Sequence, residues 1–372
     1  MKFIVPSQDL LERLLLVNGA VVAKPVLPIL ENFLFVIKNE ILTISSTDLE
    51  TSMTTFMPVQ AQEDLAIAVP SRLTIDILRS LPSQPITFTV DSSSFGIELS
   101  TASGRYKLAG QPADDYPKIQ EIESTGSFNI PSRILARAIS KTLFATSTDD
   151  LRPNLNGVFV ELKEGSINFV ATDANRLVKL TRSDVDPGQE NSFIIPKKAL
   201  NLLKSALPMS DEQIVVAFNE NSVAFSISNL NLICRLIEDR YPDYAAVMPS
   251  DNDQELILDR LSILNTTKRI GIFSNKTTHQ IRLAITGSEL NVSSEDLELA
   301  NEAQERLECE FNGSDLEIGF NGKFFIDMLA NLDTDQVVLK LSAPNKAGIM
   351  IPADNEADES IEMLIMPMML NN

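Results

Sequence analysis

The hydrophobic pattern repeats six times along the chain. Each time, a short extended apolar segment ends at a residue that can begin a helix, and an amphipathic helix pattern follows. The helix-starting residues are spaced by 64, 61, 65, 63 and 62 positions, and they are Pro6, Pro70, Pro131, Pro196, Asp259 and Asn321. This even spacing predicts a fold built from six similar units.

The segments between the predicted helices have the pattern of β-strands. They alternate polar and apolar residues, are rich in β-branched side chains and contain short polar turns, as in FLFVIKNEILTIS and QIRLAITGSELNVSS. Each unit is therefore predicted to be β-α-β-β-β, with about 63 residues. Acidic, turn-rich stretches near 113–126 and 248–255 mark joints between pairs of units. We expect an α+β protein with three similar domains at 1–122, 126–248 and 254–372.

The layers of the fold follow from this unit. One helix and three or four strands leave each sheet with helices on one face only, and the two helices of a domain must pack together to cover that face. Units placed side by side then form a helix layer and a sheet layer. Closing these layers into an arc or a ring removes exposed sheet edges. We therefore expect a ring with helices lining the hole and sheets outside.

Charge is distributed unevenly between the predicted helices and the remaining chain. With 31 basic and 51 acidic residues, the formal net charge of -20 argues by itself against nucleic-acid binding. The six helix segments nevertheless carry 15 basic and 6 acidic residues, whereas the rest of the chain carries 16 basic and 45 acidic residues. These segments are 7–24, 71–81, 132–147, 197–207, 259–276 and 321–333. The helices are thus basic and the sheets acidic.

The basic residues form stripes on the predicted helices. Arg133, Arg137 and Lys141 recur at every fourth position, opposite an apolar stripe. A single charged stripe is usually only a solvated helix face. Repeated around a ring, such stripes would contact DNA phosphates without reading the bases. The predicted DNA-contacting residues are Lys24, Arg72, Arg79, Arg133, Arg137, Lys141, Arg152, Lys197, Lys198 and Lys204.

The size of the expected ring can be estimated from helix packing. With neighbouring helices about 10 Å apart, six helices leave a hole of about 9 Å, twelve leave about 28 Å and eighteen leave about 47 Å. Duplex DNA is a rod roughly 20 Å thick. Two chains make the ring that fits, so we expect a homodimer.

Sequence patterns for catalysis or metal binding are missing. The chain has no Walker loop, no G-x-S-x-G and no H-E-x-x-H motif, and His279 is its single histidine. Cys234 and Cys309 lie far apart without metal-ligand spacing, and Asp251 and Asp253 are interpreted as solvated linker charges. We therefore predict no catalytic residue, no metal and no cofactor. The alternative is an acidic scaffold or inhibitor that binds only proteins, with basic helices that offset acidic sheets.

The N-terminal segment is unlike a signal peptide. It is an amphipathic run that holds Asp9, Glu12 and Arg13, rather than an uninterrupted apolar core. No stretch approaches about 18 uncharged apolar residues. The expected location is the cytoplasm, without a membrane partner.

Eight short segments cover the full length of the chain: MKFIVPSQDLL, KPVLPIL, STDLE, LNGVFVE, ATDANRL, RYPDY, EIGFN and MPMML. In this order and spacing, the sequence resembles the bacterial DNA polymerase III beta subunit family, the sliding clamps. No segment is specific alone, but the set is. The resemblance implies a head-to-tail homodimer of three-domain chains that encircles duplex DNA and tethers the polymerase for processive synthesis, without catalysis of its own.

The resemblance also implies two protein-binding surfaces. Tyr106 and Leu108 of one chain would approach Ile272 and Phe273 of the other at the dimer interface. A pocket between the second and third domains would bind short motifs of the Gln-Leu-x-Leu-Phe type. The implied partners are the replicative polymerase alpha subunit, the clamp-loader delta subunit, other polymerases and repair proteins. By position, the pocket wall would be Leu155, Thr172, Arg176, Leu177, Pro242, Val247, Met366, Pro367, Met368 and Leu370.

Near this pocket the sequence departs from the family's usual pattern. Ala174 and Asn175 stand where Gly-His is common, the segment around Ala246 lacks a frequent Arg, and Met369 replaces an Arg. These changes affect the polar contacts to partner peptides, whereas the apolar residues remain. We therefore expect partner peptides to be held mainly by apolar anchors, with flexible Met side chains that suit several partners.

Overall fold

The computed structural model describes residues 1–119 and 121–370. Within them the predicted β-α-β-β-β unit occurs six times, and we number these units repeat 1 to repeat 6. Repeat 1 consists of β1 (Lys2–Pro6), α1 (Ser7–Val17), β2 (Asn32–Lys38), β3 (Ile41–Thr47), β4 (Thr51–Pro58) and the short β5 (Gln60–Ala61). Repeat 2 consists of β6 (Leu65–Pro70), α2 (Ser71–Ser80), β7 (Pro85–Val90), β8 (Gly96–Ser100), β9 (Arg105–Ala109) and the short β10 (Gln111–Pro112).

The four later repeats have the same element order. Repeat 3 consists of β11 (Gly126–Pro131), α3 (Ser132–Thr142), β12 (Gly157–Lys163), β13 (Ser166–Thr172) and β14 (Arg176–Arg182). Repeat 4 consists of β15 (Asn191–Pro196), α4 (Lys197–Ala206), β16 (Gln213–Phe218), β17 (Ser222–Ile227) and β18 (Leu230–Arg235). Repeat 5 consists of β19 (Gln254–Asp259), α5 (Arg260–Ile270), β20 (Gln280–Thr286), β21 (Glu289–Asp296), β22 (Asn301–Glu308) and the short β23 (Glu310–Phe311). Repeat 6 consists of β24 (Leu316–Asn321), α6 (Gly322–Ala330), β25 (Gln336–Leu341), β26 (Gly348–Pro352) and β27 (Glu359–Ile365).

Each helix begins where the first strand of its repeat ends. Pro6 precedes α1 in an extended conformation, and its fixed φ suits this entry. Asp259 caps α5 by accepting a hydrogen bond from the backbone N–H of Ser262 at 2.7 Å. Asn321 caps α6 in the same way, accepting from the backbone N–H of Lys323. All six helix starts lie directly after the residues that the sequence predicts.

The chain forms two compact units. The first contains Met1–Arg133 and Lys198–Leu236, and the second contains Ile134–Lys197 and the chain from Ile237 onward. The first unit holds a five-stranded sheet, in the order β5-β1-β7-β8-β9, and a nine-stranded sheet, in the order β10-β6-β2-β3-β4-β18-β17-β16-β11. The second unit holds a nine-stranded sheet, in the order β15-β12-β13-β14-β27-β26-β25-β19-β23, and a four-stranded sheet, in the order β22-β21-β20-β24.

Neighbouring repeats exchange their first strands. β1 of repeat 1 pairs with β7 of repeat 2, and β6 of repeat 2 pairs with β2 of repeat 1. Repeats 3 and 4 exchange strands in the same way, and so do repeats 5 and 6. The exchange brings Phe3 against Phe88, with their rings stacked at 4.7 Å between centroids. The sheet of one repeat is therefore incomplete without the other.

The last long strand of a repeat decides where two sheets join. β4 of repeat 1 pairs antiparallel with β18 of repeat 4, and β14 of repeat 3 pairs antiparallel with β27 of repeat 6. These two pairings create the two nine-stranded sheets. Within residues 1–119 and 121–370, β9 of repeat 2 and β22 of repeat 5 remain sheet edges.

Helices cover one face of these sheets. Leu10, Leu14 and Val17 of α1 are fully buried, as are Phe33 and Phe35 of β2. α1 packs against α2, and α5 packs against α6, so the predicted cooperation of two helices is confirmed for repeats 1 and 2 and for repeats 5 and 6. None of the helices in the described part of the chain has both the length and the apolar character needed to cross a membrane.

Candidate nucleic-acid interface and partner pocket

Four predicted DNA-contacting residues have exposed side chains without an ion pair in residues 1–119 and 121–370. They are Lys24, Arg72, Arg79 and Lys204. Arg72 and Arg79 lie on α2 and Lys204 lies on α4, whereas Lys24 follows α1 in a loop with a φ of 58°. Because their charges meet no carboxylate, these side chains are available to an external phosphate.

Three further predicted residues are exposed but form ion pairs. The pairs are Arg133–Asp211, Lys198–Asp48 and Arg152–Asp149. The first and the last have both side chains exposed, and such pairs contribute only about 0 to 1 kcal/mol, so phosphate groups can compete for Arg133 and Arg152. Lys198 is 60 % exposed, but its partner Asp48 is only 6 % exposed. Lys197 is half-buried at the start of α4.

Arg137 and Lys141 do not lie on a solvated stripe as the sequence predicts. Arg137 contacts Asp333 at 2.8 Å and Glu359 at 2.8 Å, and its side chain is 26 % exposed. Lys141 contacts Asp333 at 2.6 Å and donates to the backbone carbonyl of Asn331 at 2.7 Å, with a side chain only 9 % exposed. The stripe of α3 is thus largely neutralised by carboxylates from repeat 6.

Glu359 is the centre of this charged cluster. Its carboxylate is 2 % exposed and accepts hydrogen bonds from Arg137 and, at 3.2 Å, from Arg182. Arg182 also contacts Asp184 at 2.7 Å. Burial opposes ionisation of Asp333, but hydrogen bonds from Lys141 and Arg137 outweigh it and hold the pKa of Asp333 below its ordinary value. These pairs join α3 and β14 of repeat 3 to β27 and the loop after α6.

Sequence reasoning missed two exposed basic residues on other helices. Lys268 on α5 and Lys323 on α6 are exposed and form no ion pair in the described part of the chain. Both belong to the helix segments whose charge was counted, so their positions were visible in the sequence. They join Lys24, Arg72, Arg79 and Lys204 as candidates for phosphate contact.

The predicted partner pocket has an apolar floor. Leu155 and Leu177 are buried in one cluster with Tyr241, Ile349 and Leu364, together with Val170 and Ile194. The ring of Tyr241 stacks on Phe159 with 4.6 Å between centroids. Thr172 lies beside this floor, and its hydroxyl donates to the backbone carbonyl of Arg176 at 2.6 Å. Leu364 and Tyr241 were not singled out from the sequence.

The other predicted apolar wall residues are at least partly accessible to solvent. Val247 is 56 % and Met366 is 48 % exposed, Pro242 is exposed, and Pro367 and Met368 are half-buried. The backbone N–H of Met366 donates to the carbonyl of Asn175 at 2.9 Å, which fixes Met366 beside β14. Accessible apolar groups of this kind suit contact with an apolar peptide side chain.

Arg176, predicted for the pocket wall, is largely buried and held by ion pairs. Its guanidinium contacts Asp173 at 3.0 Å and Asp327 at 2.8 Å, and its side chain is 8 % exposed. It lies over the rings of Phe144 and Phe324, at 5.3 and 4.7 Å from their centroids. Arg176 therefore ties repeat 3 to α6 behind the pocket.

The chain after β27 runs along the edge of β24. The backbone N–H of Met368 donates to the carbonyl of Gly319 at 2.8 Å, and the side chain of Gln280 donates to the carbonyl of Met369 at 3.0 Å. A Cβ at Gly319 would lie 2.6 Å from the Met368 carbonyl oxygen, so only glycine allows this approach.

Leu370 lines a different cavity, on repeat 5. Met369 is 78 % exposed, and Ala174 has a φ of 76°.

The four predicted dimer residues lie at sheet edges. Tyr106 and Leu108 belong to β9, the edge of the five-stranded sheet, where Leu108 is 5 % exposed. Ile272 and Phe273 lie in a turn after α5 that packs beside β22, the edge of the four-stranded sheet. Their exposed fractions of 66 and 40 % leave an apolar surface next to a strand with one free edge.

Comparison with known proteins identifies one family along nearly the whole chain. Models of the DNA polymerase III beta subunit match its N-terminal domain at residues 1–120, its central domain at 129–243 and its C-terminal domain at 245–369. The beta sliding clamp of Pseudomonas aeruginosa is 30 % identical over 372 residues, and that of Escherichia coli (strain K12) is 29 % identical over 371; each alignment covers 100 % of both chains.

Solved structures show the same fold. The crystal structure of the DNA polymerase III subunit beta from Pseudomonas aeruginosa, 30 % identical, superimposes with a TM-score of 0.95 over 100 % of both chains. The DNA polymerase sliding clamp from Bacillus subtilis, 24 % identical, has the same fold, with a TM-score of 0.94 over 100 % of both chains.

The repeated sheets and the exposed basic helix residues define the class of DNA clamps. The chain belongs to the DNA polymerase III beta subunit family. It acts in replication as a DNA sliding clamp, a processivity factor without catalytic activity.

Replacing the buried carboxylate of Glu359 tests the charged cluster. Glu359→Gln removes a buried anionic acceptor from Arg137 and Arg182, which keep their other carboxylate contacts. We therefore expect a loss of about 1 to 3 kcal/mol in the free energy of unfolding. Glu356→Gln is the matched control, because Glu356 also contacts Arg137 but is 56 % exposed. Its loss should stay below about 1 kcal/mol. Urea unfolding followed by circular dichroism measures both, and equal losses would contradict a buried cluster.

Proposed function

We propose that the chain forms a head-to-tail dimer that encloses duplex DNA, slides along it and holds replication proteins at the primer end in the cytoplasm. Each chain would contribute three domains, 1–122, 126–248 and 254–372. The strand exchange supports this division, because it pairs repeats 1 and 2, 3 and 4, and 5 and 6. The residue ranges of the three family models lie close to it.

The two sheet edges carry the proposal of a dimer. Each nine-stranded sheet consists of a five-stranded part and a four-stranded part, joined by the last strands of an odd and an even repeat. The remaining sheets have five and four strands. One edge of the first is β9 and one edge of the second is β22, which are again the last long strands of an even and an odd repeat. Joining β9 of one copy to β22 of another would form a further nine-stranded sheet and satisfy both edges.

The internal repeats also give the register of this joint. Thr55, Leu180 and Glu305 occupy equivalent rows in the last strands of repeats 1, 3 and 5. Tyr106, Leu232 and Met363 are equivalent in repeats 2, 4 and 6. Both existing joints show the same offset. Thr55 pairs with Leu230, two positions before Leu232. Leu180 pairs with Ile361, two positions before Met363.

The same offset sets Ala303 of one copy opposite Tyr106 of the other. Glu302 then faces Lys107, so a carboxylate meets an ammonium group across the joint. A small residue also faces a large aromatic ring. Both matches support the register, since opposite charges directly across two strands are favourable.

A disulfide tests this register. We expect Tyr106→Cys and Ala303→Cys, made in the same chain, to link two copies under mild oxidation, because facing residues of paired strands have Cα atoms within disulfide range. Non-reducing electrophoresis measures the linked dimer. The native Cys234 and Cys309 are buried and do not interfere.

The control for this cross-link shifts the pairing by one residue. Tyr106→Cys with Gln304→Cys points the two thiols to opposite sheet faces, so it should link poorly. Equal linking of both variants, or none in either, would contradict the derived register.

Exposed basic residues of the helices support the proposed DNA contact. Lys24, Arg72, Arg79 and Lys204 in one compact unit, and Lys268 and Lys323 in the other, carry charges that no carboxylate of the described residues neutralises. Contacts to phosphate alone read no sequence, so they can shift along the duplex at little cost. The acidic remainder of the chain disfavours lateral binding.

Salt dependence tests the DNA contact. Arg79→Ala with Lys204→Ala should lower the slope of log affinity against log salt concentration by about 0.9 for each lost phosphate contact. Fluorescence anisotropy with a labelled duplex measures this slope. Lys38→Ala with Lys118→Ala is the matched control, because both lysines are exposed outside the helices. An equal decrease in both variants would show that only net charge matters.

Retention on closed circular but not on linear DNA separates a clamp from a protein-binding scaffold.

The internal repeats support the position of the partner pocket. Leu34 and Ser45 of repeat 1, Phe159 and Val170 of repeat 3, and Arg282 and Ser293 of repeat 5 form equivalent pairs across two strands. The residues that continue these rows on the next strand are Thr54 of β4, Lys179 of β14 and Gln304 of β22. Repeat 3 has two apolar residues in the first pair, Phe159 and Val170, and its buried cluster also contains Leu177, Leu364 and Tyr241. The proposed partners are the polymerase alpha subunit, the clamp-loader delta subunit, other polymerases and repair proteins.

Truncating the pocket should abolish most peptide binding. We expect Leu177→Ala with Met366→Ala to weaken the binding of a fluorescent Gln-Leu-x-Leu-Phe peptide by about 30-fold or more, since each of the two lost apolar contacts costs roughly 1 to 3 kcal/mol. Leu370→Ala is the control, because Leu370 lines the cavity on repeat 5. The affinity should vary little with salt. Unchanged binding in the double variant would place the peptide site elsewhere.

A further inference from the structure

The joint between repeats 1 and 4 and the joint between repeats 3 and 6 are built on the same backbone frame. α1 begins 125 residues before α3, β4 begins 125 residues before β14, and α4 begins 125 residues before α6. In both joints the last long strands pair antiparallel. A residue of α1, β4 or α4 in the first joint therefore corresponds to the residue 125 positions later in the second joint.

In the second joint, arginine side chains fill the space between the helices and β14. Arg176 lies over the rings of Phe144 and Phe324 and contacts carboxylates at 3.0 and 2.8 Å. Arg137 of α3 and Arg182 of β14 share one buried carboxylate. The frame thus accommodates long guanidinium side chains beside carboxylates.

The first joint has none of these arginines. The residues that correspond to Arg176, Arg137 and Arg182 are Thr51, Glu12 and Met57. Gly19 and Ala199 correspond to the two phenylalanines. Each of these five residues is smaller than its counterpart, so the same frame leaves open space in the first joint.

Two cavities lie in this space along α1. One, of about 530 Å³, lies between α1 and α4, and Glu12 and Gly19 belong to its lining. The other, of about 570 Å³, lies between the start of α1 and the end of β4, and Glu12 and Met57 belong to its lining. Both volumes fall within the range of ligand pockets, roughly 300 to 1,000 Å³. Glu12 and its neighbour Arg13 line both cavities, which therefore meet at these two residues.

The walls of both cavities are largely apolar. The first cavity is bordered by Leu15, Leu16, Met53, Leu202 and Ala206. The second is bordered by Ile4, Met57, Val59 and three prolines. Such walls suit the aliphatic stem of a long basic side chain, which packs on apolar surface while its charged end meets a polar group.

The charged groups in the lining favour a cationic ligand. Asp9 and Glu12 are exposed, Arg13 is half-buried, and none of the three forms an ion pair within residues 1–119 and 121–370. Asp9 precedes Arg13 by one helical turn and can offset its charge, which leaves Glu12 without a counter-charge. Lys198 and Lys204 of α4 do not line either cavity.

The two cavities lie apart from the other proposed contact surfaces. Their lining belongs entirely to the first compact unit, which contains Met1–Arg133 and Lys198–Leu236. β5, beside the second cavity, is at the opposite edge of the five-stranded sheet from β9, the proposed dimer edge. No proposed DNA-contacting residue belongs to the lining.

We propose that these cavities bind an arginine of a partner protein, followed by an apolar residue. The guanidinium would contact Glu12, and its stem would lie on Leu16 and Met53. The apolar neighbour would lie beside Met57 and Val59. Arginine fits better than lysine, because its weakly hydrated planar group can lie against apolar walls, as Arg176 does in the second joint.

A short peptide tests the proposal on the full-length protein. The probe is fluorescent Ser-Ser-Arg-Leu-Ser-Ser, and we expect a Kd of about 1 mM or tighter by anisotropy. The same peptide with citrulline, which has the shape of arginine without its charge, should bind about 10-fold more weakly. Ser205→Phe narrows the cavity between α1 and α4 and should weaken binding at least 10-fold. Circular dichroism establishes that this variant is folded.

A matched pair of variants separates the site from general attraction to an acidic protein. Glu12→Gln should weaken binding of the arginine peptide about 10-fold. Glu220→Gln changes the net charge equally, but Glu220 is exposed in the turn after β16, outside both cavities, and this variant should bind as the unaltered protein does.

Several outcomes would overturn the site. These are no binding at about 5 mM peptide, equal binding of the arginine and citrulline peptides, equal losses in Glu12→Gln and Glu220→Gln, or unchanged binding by folded Ser205→Phe. The variant Leu177→Ala with Met366→Ala should bind the arginine peptide normally. A loss in that variant would place the arginine peptide in the repeat 3 pocket instead, so failures of the two sites are distinguished.

Discussion

The structure depends on one constraint, that the backbone N–H and C=O groups at the edge of every strand need partners. A single β-α-β-β-β unit cannot satisfy this need, so each repeat gives its first strand to a neighbour and takes one in return. The last strands then pair between more distant repeats, as β14 does with β27. Pairing within a repeat, between two neighbouring repeats and between distant repeats thus each satisfies further strand edges.

The same backbone frame supports different chemistry at each of its equivalent positions. In one row of the repeated sheet, repeat 1 has Leu34, repeat 3 has Phe159 and repeat 5 has Arg282. Tyr241 covers the phenylalanine and contributes to an apolar floor, whereas the arginine borders an open, polar cavity. Because backbone pairing fixes the rows, side chains on the free face can differ without changing the fold.

The sequence predicts the repeated frame well because local signals encode it. Pro6 and Asn321 mark helix starts, and strand alternation marks the sheets between them. Contacts between distant repeats are not encoded locally. The spacing of Arg137 and Lys141 gives a stripe, but it cannot reveal that Asp333 and Glu359 meet that stripe from about 200 residues away. Arg176 is a similar case, since its aromatic and acidic neighbours include residues of α6. The resemblance gives positions for such residues, but not whether they face solvent.

The exchange of strands has a consequence for how the protein is made. A ribosome releases β1 well before β7, its partner more than 80 residues later, and β14 waits until β27 at the far end of the chain has emerged. Pairings of such long separation form slowly, because a large loop must close before any contact is gained. During synthesis the nascent chain therefore carries several unpaired strands, which are prone to wrong pairing with other chains. This exposure ends for β4 when β18 has emerged, but for β14 only when β27 has.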